Sequence, residues 1–195
     1  EFSSLEACYY TDGTNVYDAK GLRERSGRLG DIVLSGPVYV GTPESNWPDV
    51  APFPGNVGTT YSEYRTAKAT RPGTIYVGGN DGMLHGFAQT NGAEIMGYVP
   101  NALFSTNPLA GLHYLTDPSY AHRYTVDLTP SVADVYVKST VAGSASWKTV
   151  LVGGLRGGGK GVFALDVTNP GSFSESSSAP ANVVIWEFPD ADDLD

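Results

Sequence analysis

Residues 74–87 read TIYVGGNDGMLHGF. Ile75, Tyr76 and Val77 form a strand-favouring run. Gly78 to Gly82 interrupt it with residue types that accept left-handed backbone. A second apolar run starts at Leu84. The fold turns on whether this hairpin stands alone or recurs. It recurs at TVLVGGLRGGGKGVFALDV, residues 149–167. Each copy places a strand before a double glycine, a polar or glycine loop after it, and a strand beyond. Each then reaches an apolar run carrying a carboxylate, Glu94 in one copy and Glu187 in the other. Upstream of each lies another extended stretch containing a proline, 31–40 with Pro37 and 126–137 with Pro130.

Two units therefore share the order of four strands, A to D. Four strands with tight turns and recurring glycines are the signature of a propeller blade. The chain is expected to be all-β and β-propeller-like. In the first blade, A lies near 32–40, B at 74–78, C at 83–88 and D at 94–99. In the second, A lies near 131–137, B at 149–153, C at 162–167 and D at 183–188. The expected division is a leading segment 1–30, a blade 31–100 with a long A–B insertion, a connection 101–125, a blade 126–189, and an acidic start of a next blade at 190–195. Short helices are expected near 61–69 and 101–104, and residues 171–181 read as an exposed serine-rich loop. A closed propeller takes about four to eight blades. Two blades thus predict an incomplete propeller, a fragment of a larger protein.

The 195 residues include 24 glycines and 13 prolines, which favour turns over helices. The net charge of −9 disfavours nucleic acid and anionic membrane as partners. No apolar run of about 18 residues is present to span a membrane. The single cysteine, Cys8, has no partner within the sequence for a disulfide.

Candidate site residues are few. His85 shares a strand face with Phe87, and its counterpart in the second blade is Phe163; a packed histidine with hydrogen-bonded ring nitrogens is the simplest reading. Asn80-Asp81-Gly82 reads as a turn. His122, Arg123 and Asp127 are expected to form a polar cluster, a salt-bridged loop anchor rather than a catalytic set, and with Asp81 and His85 they are the binding candidates. Asp190, Asp192, Asp193 and Asp195 are weak candidates for a hard cation, set against a solvated loop. Residues 153–161 are glycine-rich but lack the Gly-Lys-Ser/Thr ending and lead into a strand, so they do not read as a phosphate cradle. No nucleophile elbow, HExxH or CxxC is present. No enzyme activity is expected.

The set RLGDIVLSGPVYVG (28–41), TIYVGGNDGMLHGF, SYAHRYTVDLTPSVADVYV (119–137) and TVLVGGLRGGGKGVFALDV resembles the PilC/PilY family of type IV pilus assembly factors and tip adhesins, in the family's order from Arg28 onward. Ala88, Asn91-Gly92 and Asp127-Leu128 depart from the family's usual residues. The resemblance implies part of a C-terminal propeller in a secreted protein at the pilus tip or outer membrane of a Gram-negative bacterium. It implies pilins or minor pilins and the pilus machinery as partners, and a host-surface receptor as a further one. It implies a role in pilus assembly, opposition to retraction and adhesion. The family's calcium loop has no counterpart in these residues, so calcium is expected in the remainder of a longer protein. The repeat also resembles pyrroloquinoline-quinone dehydrogenases at Ala164-Leu165-Asp166-Val167-Thr168. A quinoprotein-like enzyme and a glycan- or protein-binding propeller unrelated to pili are the alternatives.

Overall fold

A computed structural model describes residues 10–11, 16–17, 23, 25, 27–107, 109–138, 143–174 and 180–189. Strands β1 (Tyr10–Thr11) and β2 (Val16–Tyr17) pair antiparallel. Strands β3 (Val38–Val40), β4 (Thr74–Gly78), β5 (Leu84–Ala88) and β6 (Glu94–Tyr98) form one four-stranded antiparallel sheet in chain order. Strands β7 (Ser131–Val137), β8 (Ser146–Gly154), β9 (Gly161–Asp166) and β10 (Val184–Pro189) form a second of the same order. The helices are short: α1 (Tyr61–Ala67), α2 (Gly111–Leu115) and α3 (Pro180–Val183). Two repeated sheets with the predicted strand order are the expected pair of blades. Among the described residues, no helix is long and apolar enough to cross a membrane.

The alternation along β8 shows why these residues form a sheet. Trp147, Thr149 and Leu151 are buried, while Lys148, Val150 and Val152 are half-buried on the other face. Leu151 meets Tyr76, Leu84, Phe163, Leu165 and Val167 in a core that runs through both sheets. The first strand of blade one is shorter than expected. Residues 34–36 leave the ladder because they bond to the other blade instead. Leu34 N–H donates to Asp127 Oδ1 at 3.0 Å, and Gly36 N–H to Thr129 Oγ1 at 2.8 Å. Pro37 has no N–H for a ladder.

The β3–β4 connection, residues 41–73, crosses to the second blade. Thr60 and Glu63 start α1 with a reciprocal capping box. The helix buries Tyr61 and Tyr64 against Trp147. Tyr61 Oη donates to Asp134 Oδ2 at 2.6 Å, and Tyr64 Oη lies 2.7 Å from Thr149 Oγ1. Burial, and then the bond to Asp134, push the Tyr61 phenol up to about 12. Trp47 Nε1–H donates to Asp134 O at 3.0 Å. The insertion is thus a clamp between blades, which its proline-rich sequence did not announce.

Candidate functional site

The β4–β5 turn, the β8–β9 turn and the β6–β7 connection lie at one end of the two sheets. Thr125, in that connection, ties them together. Its N–H donates to Asn80 Oδ1 at 3.0 Å, and its hydroxyl donates to Gly79 O at 2.9 Å. Gly158, in the β8–β9 turn, packs on the Thr125 backbone. The opposite end carries the clamp.

Asp81 and His85 meet at the first end. Gly82 takes φ +92°, which turns the chain so that Asp81 faces back across β5. His85 Nε2 lies 3.0 Å from Asp81 Oδ1, and Nδ1 lies 2.6 Å from Glu94 Oε1. A carboxylate at each ring nitrogen takes a hydrogen bond from both only when the ring is the imidazolium. Burial opposes that charge, but the bonds to Asp81 and Glu94 outweigh it, and the His85 pKa is raised. Burial likewise opposes the charge on Asp81; the bonds from His85 and Gly30 N–H outweigh it, and its pKa is lowered. The imidazole stacks on Phe87 with centroids 5.8 Å apart. With both nitrogens held, His85 has no free lone pair for a metal or a substrate proton.

The turn does more than expected of it. Asn80 Nδ2 donates to Asp31 Oδ2 at 3.1 Å, Asn80 N–H to Asp31 O at 3.0 Å, and Gly30 N–H to Asp81 Oδ2 at 2.5 Å. These bonds fasten residues 30–31 to blade one.

The expected cluster of His122, Arg123 and Asp127 does not form. His122 Nε2 lies 2.7 Å from Asp31 Oδ2. Arg123 stacks over the Tyr114 ring at 3.6 Å and donates to Leu109 O at 3.0 Å. Asp127 is buried and accepts from Leu34 N–H, with Oδ2 unpartnered among the described residues. The chain bends at 125–126 between them, which separates Asp127 from His122 and Arg123. Asp190, Asp192, Asp193 and Asp195 lie outside the described residues, as does Cys8. Among the described residues no group of three or more His, Cys, Asp or Glu is arranged to hold a metal ion.

A polar cavity of about 250 Å³ opens beside this network, lined by Arg23, Arg25, Asp31, Asn80, Asp81 and Tyr120 among others. Arg23 escaped the sequence reading because the segment before Arg28 does not repeat, and Tyr120 because nothing in the non-repeating 101–125 connection tied it to that segment. Glu94 escaped it because a register shift between Gly86 and Phe87 brings it to His85.

The family model described as the PilY1 beta-propeller domain matches residues 29–192. The chain belongs to the PilY1 propeller family. A type IV pilus biogenesis factor PilY1 homolog of Xylella fastidiosa is 45% identical over 149 residues, 76% of this chain and 11% of that protein. The type IV pilus biogenesis factor PilY1 of Pseudomonas aeruginosa strain PAO1 is 40% identical over 174 residues, 88% of this chain and 13% of that protein. The chain thus spans between a tenth and a seventh of these PilY1 relatives' length. The crystal structure of the Pseudomonas aeruginosa PilY1 C-terminal domain is similar with TM-score 0.49 and 34% identity, covering 77% of this chain and 25% of that one. The two sheets described above are blades of a PilY1 propeller.

Proposed function

We propose that the chain is a non-enzymatic propeller part of a type IV pilus biogenesis factor. In this reading it acts at the cell surface or pilus tip of a Gram-negative bacterium, with pilins or minor pilins and the pilus machinery. It supports pilus assembly, opposes retraction and contributes to adhesion, a host-surface receptor being a further partner. The family match across residues 29–192 carries the reading. The held state of His85 supports a structural rather than catalytic histidine. The test is made in the whole protein, with residues 29–192 removed, by counting surface pili. Pili should be lost when the retraction motor is present and return when it is inactivated. Unchanged pilus numbers would overturn the pilus role, and continued absence without the motor would overturn the opposition to retraction. Adhesion is checked by attachment of cells with matched pilus numbers.

A further inference from the structure

The chain carries −9 overall, yet five of its seven arginines gather at one end. Arg23, Arg25 and Arg28 precede β3, Arg123 lies in the β6–β7 connection and Arg156 in the β8–β9 turn. Two of them, Arg23 and Arg123, are joined through a stack. The Arg23 guanidinium lies 3.6 Å over Tyr120; that ring is 5.3 Å from Tyr114; and Arg123 lies 3.6 Å over Tyr114. Arg25 donates to Arg28 O, and Gly157, beside Arg156, packs on Tyr124.

Among the described residues none of these arginines forms an ion pair; the pairs present use His or Lys. Arg25 and Arg123 donate to backbone carbonyls, and stacking leaves the guanidinium edges available. The nearby acids have partners of their own: Asp81 has His85 and Gly30, Glu94 has His85, Asp31 has His122 and Asn80, and Asp117 has the Ser119 N–H. Phe104, Leu109 and Tyr124 are exposed on the same connection, at 63%, 60% and 40%. Arginine beside exposed aromatic and aliphatic surface is the composition of protein-contact centres.

We propose that this end docks an acidic, partly apolar protein segment, one of whose carboxylates enters the cavity beside Arg23, Arg25 and Tyr120. The guanidinium fork suits a carboxylate, and the apolar neighbours suit leucine-like side chains. A densely charged polyanion fits less well, because Asp31 and Asp81 line the same cavity. The surface is read from charge and stacking and does not depend on the pilus assignment.

The test uses the whole protein and fluorescence anisotropy of a labelled peptide alternating glutamate with leucine. A glutamine–leucine peptide and a heparin-derived sulfated oligosaccharide are the comparison probes. The glutamate peptide should bind saturably and more weakly as salt rises. Arg23→Gln with Arg25→Gln should weaken it about tenfold, the sum of two partly exposed charge contacts. Arg65→Gln, on α1 at the opposite end, should change nothing. Thermal melts verify folding; if the double variant melts early, Arg123→Gln at the other end of the stack replaces it and should also weaken binding. Absence of binding, equal loss in Arg65→Gln, equal binding of the glutamine peptide, or binding of the oligosaccharide in place of the peptide would each overturn the proposal.

Discussion

His85 is the residue on which the first blade's end depends, and its charge sets a pH dependence. Its folded pKa is raised above 6.5, so its contribution to stability is complete below 6.5 and lost as pH climbs through the folded value. Asp81 and Asp31 have folded values below 3.8, so their contributions are complete above 3.8 and lost as pH falls through the folded values. These three groups together favour the folded state most between 3.8 and 6.5. The melting temperature should fall as pH is raised from about 6 to about 9, and the fall should shrink in His85→Gln. Thermal melts across that range check this; a rise with pH, or an unchanged slope in the variant, contradicts it. A second expectation concerns shape. The register corrects the expected counterpart: Phe163 faces Gly153 as Leu84 faces Gly78, and the residue matching His85, opposite Val77, is Ala164, opposite Val152. A phenyl ring at 85 would still keep the stack on Phe87. His85→Phe should nonetheless destabilise, by roughly 1–3 kcal/mol, because Asp81 Oδ1 is left buried without a donor. Denaturant unfolding measures it, and a neutral result would mean Asp81 finds another partner.

Strands and turns were legible in the sequence where they repeat. Ile75-Tyr76-Val77 and Val150-Leu151-Val152 announced β4 and β8, and the stretch 61–69 announced a short helix, realised as α1 (Tyr61–Ala67). What the sequence hid were the bonds between segments that do not repeat. Asn80 and Asp81 read as local turn formers, but their side chains reach Asp31, Thr125 and Gly30 across 45 to 51 positions. His122, Arg123 and Asp127 looked like one group because they are neighbours in the chain, yet each serves a different partner. The double glycines show both cases. Their requirement was legible, but its cause is close approach rather than left-handed backbone. A Cβ on Gly78 would run into the carbonyl oxygen of Val126, at the start of the next blade. Neither Gly78 nor Gly79 has positive φ. Gly78→Val should therefore cost roughly 1–3 kcal/mol by overpacking. Gly171→Ala, where a Cβ meets nothing within 4 Å, should be neutral or stabilising by a few tenths of a kcal/mol. Parallel thermal melts separate the two, and equal effects would contradict the close-approach argument.

At the scale of the whole molecule, the two blades are held by three separate seams. At the first, residues 34–36 bond to 127–129 where the chain enters the leading strands. At the outer side, Glu187 on β10 accepts from Tyr98 Oη and from Asn101 N–H. At the far end, the clamp lays Trp47, Phe53, Tyr61 and Tyr64 around Trp147. Repeat stability is roughly a sum of units and neighbouring interfaces, so blades joined weakly would unfold one after another. Three seams predict the opposite here. Tyr61→Phe tests this with little change of volume. It removes the hydroxyl that donates to Asp134 Oδ2 and leaves that buried oxygen with no other hydrogen bond shown, at a cost of roughly 1–3 kcal/mol. Tyr61 belongs to the chain of the first blade and Asp134 to β7 of the second, so the loss falls on both. Hydrogen exchange should show the most protected amides of β4 and β5 and those of β8 and β9 losing protection by the same factor. Loss confined to β7 and β8 would mean that each blade opens on its own and that the clamp is a cover for the second blade. Equal loss in both would establish the insertion as the element that makes the pair a single folding unit.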